Sequence, residues 1–136
     1  MWDEFYIAMA EGVASKSKDP STKVGAVIVD DRHNMVGMGY NGFPRGVADD
    51  ERLDDRETKY PRIVHAEANA IVNAAKSCVG CTLYCTLFPC ASCAGLIINA
   101  GITEVVAPRE TVARWREDQG VAAEMFKEAG VRWRTL

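Results

Sequence analysis

The stretch HAEANAIVNAAKSCVGCTLYCTLFPCASC, which runs from His65 to Cys93, carries the strongest signals for fold and chemistry. It contains all five cysteines of the chain and one of its two histidines. Four of the cysteines form pairs with C-x-x-C spacing, Cys78 with Cys81 and Cys90 with Cys93. Cysteine and histidine at such spacings are typical metal ligands, so the question is which of them bind a metal and which pack in the core.

Length and composition describe an ordinary intracellular domain. With 136 residues, 48% of them hydrophobic, the chain is expected to form a single domain, 1–136, without disulfides. The net charge of -3 and the pI near 5.4 argue against a nucleic-acid polymer as partner and favour a small anionic substrate. The N-terminus is acidic and no apolar run reaches the roughly 18 residues of a membrane span, so we expect a soluble, cytoplasmic chain that has no membrane partner. The odd number of cysteines then indicates free thiols or metal ligands.

The helical segments are predicted from apolar residues that recur every three to four positions. The first stripe is Trp2, Phe5, Tyr6, Met9 and Val13, and it ends in a polar cluster around Pro20. The second stripe is Ala68, Ile71, Val72 and Ala75. A third helix is expected to begin at Pro89 and to be ended by Gly101. The last helix has the stripe Ala122, Met125, Phe126 and Ala129, and Gly130 ends it.

The strands are predicted from short runs of β-branched and apolar residues: Val24–Asp30, 35–40, Thr82–Phe88, 104–108 and 131–136. The first two are expected to form an antiparallel hairpin, with His33 solvated in its turn. The later strands alternate with helices, which is typical of parallel strands in a layered sheet. The predicted fold is α/β, a five-stranded mixed sheet flanked by helices, with a polar connection at Asn41–Arg62 that is functional or mobile.

The candidate site begins with His65 and Glu67, which lie two residues apart at the predicted start of a helix. Cys90 and Cys93 lie three residues apart in the first turn of the next helix, so their sulfur atoms point to the same side. A helix N-terminus favours negative charge and lowers the pKa of a thiol. Two thiolates and one imidazole make three zinc ligands and leave a fourth position for water, the arrangement of a catalytic site. Glu67 is then placed to handle the protons of that water.

HAE (His65–Glu67) followed by PCASC (Pro89–Cys93) resembles the H-x-E and P-C-x-x-C motif of zinc-dependent nucleobase deaminases. Four blocks narrow the resemblance to the deoxycytidylate (dCMP) deaminases of the cytidine/deoxycytidylate deaminase family: DPSTKVGAVIVD, GMGYNGFPRG, KYPRIVHAEANAI and LFPCASCAGLIINAGI. With their connections these blocks run from about residue 19 to residue 108, and the C-terminal part matches only in general character. The resemblance implies the three-layer α-β-α cytidine-deaminase-like fold.

The dCMP deaminases convert dCMP to dUMP, which supplies thymidylate synthesis, and release ammonia, so the resemblance implies this reaction. The resemblance implies one catalytic Zn²⁺ per subunit, held by His65, Cys90 and Cys93, which activates water for attack at C4 of the cytosine. It implies that Glu67 takes the proton of this water, delivers it to ring N3 and helps to protonate the departing ammonia. One carboxylate serves as base and acid because the protons that it collects are the ones that it returns.

The resemblance also assigns substrate contacts. It implies that Asn41, in GYNG, hydrogen-bonds the sugar, and that the main chain around Ala66, Phe88 and Pro89 contacts the edge of the pyrimidine. The phosphate candidates lie in the loop before the first strand, which offers two hydroxyl groups and a cation: Ser21, Thr22 and Lys23.

The segment from GYNG to FPRG resembles the glycine-rich segment with which regulated members bind dCTP as activator and dTTP as inhibitor, between the subunits of a hexamer. Its residues here are Tyr40, Gly42, Phe43, Arg45 and Gly46. The resemblance therefore implies a homohexamer, with Mg²⁺ as the companion of a nucleoside triphosphate effector.

Other functions share parts of these patterns. Deaminases of another cytosine substrate, of guanine or of tRNA adenosine share the zinc motif, although a tRNA enzyme is expected to have a more basic surface. A noncatalytic module could instead use Cys78, Cys81, Cys90 and Cys93 as a four-cysteine structural site. The gap between those pairs is shorter than the roughly 15–20 residues of zinc ribbons, and such a site leaves the HAE motif without a role.

The remaining candidates are interpreted as packing residues or chance matches. Cys85 alternates with leucines on one strand and is expected in the core. Trp115 and Trp133 are expected to pack in the core or at a subunit contact. Residues 37–42 spell the dinucleotide-binding pattern G-x-G-x-x-G, but no helix follows, so the pattern is not expected to bind a dinucleotide.

Overall fold

The computed structural model describes residues 1–113 and 116–136, and its centre is a five-stranded mixed sheet. Its strands are β1 (Gly25–Val29), β2 (Met35–Tyr40), β3 (Thr82–Cys85), β4 (Glu104–Ala107) and β5 (Arg132–Thr135). Their spatial order is β2-β1-β3-β4-β5; β1 is antiparallel to β2 and β3, whereas β3, β4 and β5 run parallel. The predicted mixed sheet, with its hairpin and its parallel second half, is confirmed. Trp115 lies outside the described residues.

Helices cover both faces of this sheet. They are α1 (Trp2–Ala14), α2 (Arg56–Lys59), α3 (Ala66–Val72), α4 (Ala91–Asn99), α5 (Arg109–Ala113) and α6 (Glu117–Ala129), with a 3-10 turn at Glu51–Asp54. On one face Tyr6 of α1 joins Val27 in a buried cluster. On the other face Phe126 of α6 joins Ile28 in a second cluster, to which α3 and α4 also contribute. Since Val27 and Ile28 of one strand serve different clusters, the architecture has the three expected layers.

The buried face of α1 differs from the predicted stripe. Trp2 and Phe5 of that stripe are 54% and 52% exposed. At Gly25 of β1, a Cβ would lie 2.0 Å from the carbonyl oxygen of Ala10, so helix and strand meet backbone to backbone. Only small residues fit at this contact, so Ala10 and Ala14 lie there, and Trp2 and Phe5 turn toward solvent. The buried residues are Tyr6, Ile7, Ala10 and Ala14.

His33 is exposed in the turn between β1 and β2, as predicted, with a positive φ of 63°. It also has partners on α1. Its ring stacks on Trp2 with centroids 4.0 Å apart, and its Nδ1 lies 2.9 Å from the hydroxyl of Tyr6. The hairpin turn therefore contacts the N-terminal half of α1.

Two glycines of β2 let α3 lie directly on the sheet. A Cβ at Gly39 would lie 2.4 Å from the amide nitrogen of Ala70 and 2.6 Å from the carbonyl oxygen of Ala66. A Cβ at Gly37 would lie 2.5 Å from the carbonyl oxygen of Ala70. The predicted stripe of α3 is only partly correct. Ile71 packs against the core, but this contact turns Ala66 and Ala70 inward and leaves Val72 76% exposed. The glycine pattern thus serves helix–strand packing.

The end of β3 and the start of α4, on either side of the turn that leads to Cys90, differ from the prediction. β3 ends at Cys85 and not at Phe88. α4 begins at Ala91, with Cys90 as its N-cap and Pro89 just before it. The chain between strand and helix is therefore a longer turn than the sequence predicted.

The packing expected of Cys85 and Trp133 is confirmed. Cys85 is fully buried in the core. Trp133 packs edge-on against Phe88, with ring centroids 5.3 Å apart. The polar connection 41–62 contains α2 and the 3-10 turn, and Leu53 anchors it at 7% exposure. In the described ranges no helix has the length and apolar character needed to cross a membrane.

Replacing Gly39 by Ala tests the contact between α3 and β2. Gly39→Ala is expected to lower the free energy of unfolding by about 1–3 kcal/mol, because the new methyl group would collide with the backbone of α3. Urea unfolding followed by circular dichroism measures this change. The matched control is Gly12→Ala in α1, where a Cβ meets nothing within 4 Å and helix propensity should raise stability by up to about 1 kcal/mol. An unchanged unfolding midpoint for Gly39→Ala would contradict the described contact.

Candidate active site

The predicted metal ligands lie at the N-termini of two neighbouring helices. His65 is the N-cap of α3 and Cys90 is the N-cap of α4, both with extended backbone conformations. Cys93 follows in the first turn of α4 and is buried. Both helices pack on the same face of the sheet, which brings together residues that are 25 and 28 positions apart in the chain.

The three donor atoms lie within 4.8 Å of one another, and both nitrogen–sulfur separations are those expected of ligands to one ion. His65 Nδ1 lies 3.3 Å from Cys93 Sγ and 3.5 Å from Cys90 Sγ. A tetrahedral zinc ion with its usual Zn–N and Zn–S bond lengths holds such atoms about 3.5 Å apart. The donor set, one imidazole and two thiolates, also fits zinc.

Among the described residues, these three side chains make up the one group of three or more histidine, cysteine or acidic residues that could hold a metal ion. Cys78 and Cys81 are not part of it; both are buried, and burial raises the pKa of each thiol. Protonated thiols in the core are poor ligands. The four-cysteine structural site is therefore not formed.

The pKa values of Cys90 and Cys93 are shifted in opposite directions. A hydrogen bond from Cys93 lowers the pKa of the Cys90 thiol to about 4, and the contact with His65 acts in the same direction against partial burial. The same hydrogen bond raises the pKa of Cys93, as does its burial. The contact with Cys90 raises the pKa of His65. A cation that binds here would displace the proton that the two sulfur atoms share.

Glu67 lies in the first turn of α3 with only 4% of its surface exposed. Burial raises the pKa of its carboxyl group to about 7, although main-chain hydrogen bonds and the charge of His65 oppose this shift. A carboxyl group with such a pKa can accept and return a proton near neutral pH. Its burial beside the metal ligands thus gives Glu67 the properties of a general acid–base.

Asn41 is buried and its side chain fixes the loop that leads into β1. Its Oδ1 accepts a hydrogen bond of 2.8 Å from the amide of Val24, and its Nδ2 donates one of 2.8 Å to the carbonyl of Thr22. The next residue, Gly42, exchanges two main-chain hydrogen bonds of 3.1 and 2.8 Å with Val64. Asn41 is thereby held beside the segment that enters His65, and its predicted contact with a sugar stays a prediction.

The predicted phosphate loop is exposed, and its residues are Ser21, Thr22 and Lys23. Asp19 holds this loop, because its Oδ1 accepts hydrogen bonds from the amides of Ser21 and Thr22 at 2.8 and 3.4 Å. Lys59 Nζ lies 3.0 Å from the same oxygen and 3.4 Å from Ser21 Oγ. Burial disfavours the charge of Asp19, but these hydrogen bonds outweigh it and lower its pKa.

Sequence reasoning missed both Asp19 and Lys59. The order Asp-Pro-Ser is a common turn sequence and could have identified Asp19. Nothing local could have identified Lys59, which comes from the distant connection 41–62.

The residues whose main chain is expected to contact the pyrimidine are buried, and the main chain of Phe88 is hydrogen-bonded within the protein. Ala66 is fully buried against the sheet. The amide of Phe88 donates to Thr111 Oγ1 at 3.3 Å, and its carbonyl accepts from Gln119 Nε2 at 2.9 Å. Pro89, also buried, follows directly. The predicted pyrimidine contacts of Phe88 and Pro89 stay predictions.

The residues predicted to bind effectors lie on the segment that joins β2 to the 41–62 connection. The carbonyl of Tyr40 accepts a hydrogen bond of 2.8 Å from Asn69, and Arg45 donates one of 3.2 Å to Asn73. The Arg52 guanidinium lies 5.7 Å from the ring centre of Phe43. Gly42 forms the bridge to Val64, and Gly46 has a φ of 89°.

Comparison with known proteins gives one consistent result. The family described as "Cytidine and deoxycytidylate deaminase zinc-binding region" matches residues 1–108. The "Uncharacterized deaminase in luxG 3'region" of Aliivibrio fischeri is 47% identical over 96% of this chain and 90% of its own length. The deoxycytidylate deaminase of Mus musculus is 45% identical over 98% of this chain and 78% of its own length.

A solved structure with a similar fold is that of the dCMP deaminase from cyanophage S-TIM5 in complex with dCMP and dUMP. It is 26% identical, with a TM-score of 0.80, over 99% of this chain and 96% of that chain. The likeness covers the whole sheet and the helices that carry the ligand triad (His65, Cys90 and Cys93), which confirms the expected fold. From the family match and from the identity with these relatives, we conclude that this chain belongs to the cytidine and deoxycytidylate deaminase family.

Proposed function

We propose that this chain catalyses the zinc-dependent hydrolytic deamination of dCMP to dUMP and ammonia, and so supplies dUMP for thymidylate synthesis. The observation that carries the proposal is the assembly of His65, Cys90 and Cys93 beside the buried carboxyl group of Glu67. The names of the mouse and cyanophage relatives support dCMP as the substrate. The chain would act as a single domain, 1–136, in the cytoplasm.

In this function His65, Cys90 and Cys93 hold the zinc ion. When bound, zinc supplies the nucleophile by lowering the pKa of a water molecule to about 7. Glu67 would accept one proton from this water and deliver it to ring N3. It would then take the second proton from the same oxygen, now bonded to C4, and pass it to the amino group as the bond between C4 and nitrogen breaks. The oxygen of water ends on C4 as the carbonyl of dUMP, and ammonia leaves. The burial of Glu67 supports this role, because a carboxyl group with a pKa near 7 suits both steps.

The chain's own polar groups would orient dCMP. Asn41 is held by Val24 and Thr22 and keeps one lone pair of its oxygen for the sugar. The main chain at Ala66, Phe88 and Pro89 would border the pyrimidine. The phosphate would be bound at the loop that Asp19 and Lys59 hold, by Ser21, Thr22 and Lys23.

The regulatory expectations are part of the proposal. We infer that the segment with Tyr40, Gly42, Phe43, Arg45 and Gly46 binds dCTP as an activator and dTTP as an inhibitor between the subunits of a homohexamer. Mg²⁺ would accompany the triphosphate. The accessibility of Arg45 and Tyr40 at the surface supports this inference.

Removal of single cysteines tests the metal site. Cys90→Ala and Cys93→Ala are each expected to reduce bound zinc from about one ion per chain to near zero, because a catalytic site has only three protein ligands. Cys78→Ala, the control, should retain zinc, since its side chain packs in the core. Atomic absorption of purified protein measures the content. Loss of zinc from Cys78→Ala but not from Cys90→Ala would reverse the assignment.

Replacing Glu67 by Gln tests the chemistry. Glu67→Gln is expected to retain its zinc and its folded structure but to lower kcat for dCMP by about 10²–10⁴-fold, because the amide cannot transfer protons. The release of ammonia and the loss of cytosine absorbance measure the turnover. Undiminished turnover by Glu67→Gln would exclude the proposed proton transfer.

A substrate panel with wild-type protein is the companion experiment. dCMP should be deaminated in preference to CMP, deoxycytidine, dCTP, guanine and a tRNA. Preference for guanine, tRNA or a different cytosine substrate would select one of the other deaminase functions. Bound zinc without any turnover would select the noncatalytic module.

Effector addition tests the regulatory segment. dCTP with Mg²⁺ is expected to lower the half-saturating concentration of dCMP, and dTTP to raise it, by a factor of about 5 or more. Arg45→Ala should lose both shifts, whereas Arg32→Ala, which changes an exposed arginine of the β1–β2 turn, should retain them. Saturation curves that overlap with and without effectors would contradict regulation in this chain.

A further inference from the structure

Three side chains beyond residue 108, where the family match ends, hold the turn that carries the first cysteine of the ligand triad. We call Phe88–Ala91 the cysteine turn. Thr111 Oγ1 accepts from the amide of Phe88 at 3.3 Å, and Gln119 Nε2 donates to its carbonyl at 2.9 Å. Asp118 Oδ2 accepts from the amide of Ala91 at 3.1 Å. The turn is thus bound at both ends by α5 and α6.

These contacts restrain the few main-chain groups that determine where the Cys90 side chain points. Pro89 has a fixed φ and no amide hydrogen, so it cannot donate a main-chain hydrogen bond. The conformation of the cysteine turn therefore depends on the hydrogen bonds of Phe88 and Ala91. Ala91 is the first residue of α4, and the amide of a first helical residue has no acceptor within its own helix. Asp118 supplies that acceptor from another helix. The peptide plane between Cys90 and Ala91 is therefore held from outside α4.

Gln119 has its own orientation fixed. Its Oε1 accepts a hydrogen bond of 3.1 Å from the amide of Arg116, the N-cap of α6. With the oxygen used in this way, the nitrogen must face Phe88. Gln119 is only 8% exposed, so the loss of either partner would leave a buried polar atom without a hydrogen bond and destabilise the fold. The start of α6 and the cysteine turn are consequently one hydrogen-bonded unit.

We propose that Asp118 and Gln119 are positioning residues that direct the Cys90 sulfur toward His65 and so hold the metal site assembled. The inference rests on the proposed function only for the identity of the metal ligands. A turn held in place before the ion arrives loses little conformational freedom on binding and releases the ion slowly. Second-layer contacts of this kind typically change metal affinity by about 10–100-fold when they are removed.

The kinetics of zinc release test this role without substrate. Zinc-loaded protein is mixed with an excess of a chromogenic chelator, and the release rate is measured well below the unfolding temperature. Asp118→Ala is expected to release zinc about 10–100-fold faster than wild type. Asp118→Asn, which retains an oxygen acceptor for the amide of Ala91, should stay close to wild type. Glu117→Ala is the matched control, an exposed acidic residue of the same helical turn.

Gln119→Glu provides a second variant. It keeps an acceptor for Arg116 but loses the donor to Phe88, so it should also accelerate zinc release. Unfolding of the zinc-free proteins is measured in parallel, since a purely structural role would lower their stability and leave the release rate unchanged. Release from Asp118→Ala at the wild-type rate would overturn the proposal, as would equally fast release from Asp118→Asn. A wild-type chain that binds zinc but does not deaminate dCMP would refute the proposed substrate and leave this inference intact.

Discussion

Direct backbone contact between α3 and β2 at Gly39 is the constraint on which the site depends. Without a side chain between them, the helix lies close enough to the strand that its first turn is covered by the sheet. Glu67 is therefore buried, and His65 is held at the N-cap just above it. α4 packs on the same face, so its first turn meets His65. A bulkier residue in the strand would lift α3 and separate the imidazole from the two sulfur atoms.

The same geometry concentrates groups that can carry negative charge. Glu67, Cys90 and Cys93 lie together where burial makes charge costly. In response, burial raises the pKa of Glu67 to about 7, and the cysteines share one proton while His65 becomes more basic. A divalent cation that replaces the shared proton would lower the free-energy cost of this buried negative charge. Metal binding and proton transfer therefore involve the same few side chains.

Other parts of the candidate site depend on contacts between distant segments. Asp19 and Lys59 are 40 positions apart and jointly hold the exposed loop with Ser21. Asn41, which directly follows β2, holds that loop at Thr22 and Val24. The C-terminal helices contact the cysteine turn, where Gln119 is 31 positions from its partner Phe88. Segments outside the family match thus support the segment that bears the motif.

The sequence by itself determined the α/β class, the order of the main elements and the identity of the candidate ligands. Periodicity and motif spacing depend on neighbouring residues and on side-chain chemistry, so they can be recognised without a structure. Only the tertiary structure decided which faces of α1 and α3 are buried, because glycines in the opposite strand select small residues over large ones. It alone revealed the partners of Asn41 and the links from α6 to the cysteine turn. Such contacts join residues far apart in the chain, and their formation depends on how whole elements pack.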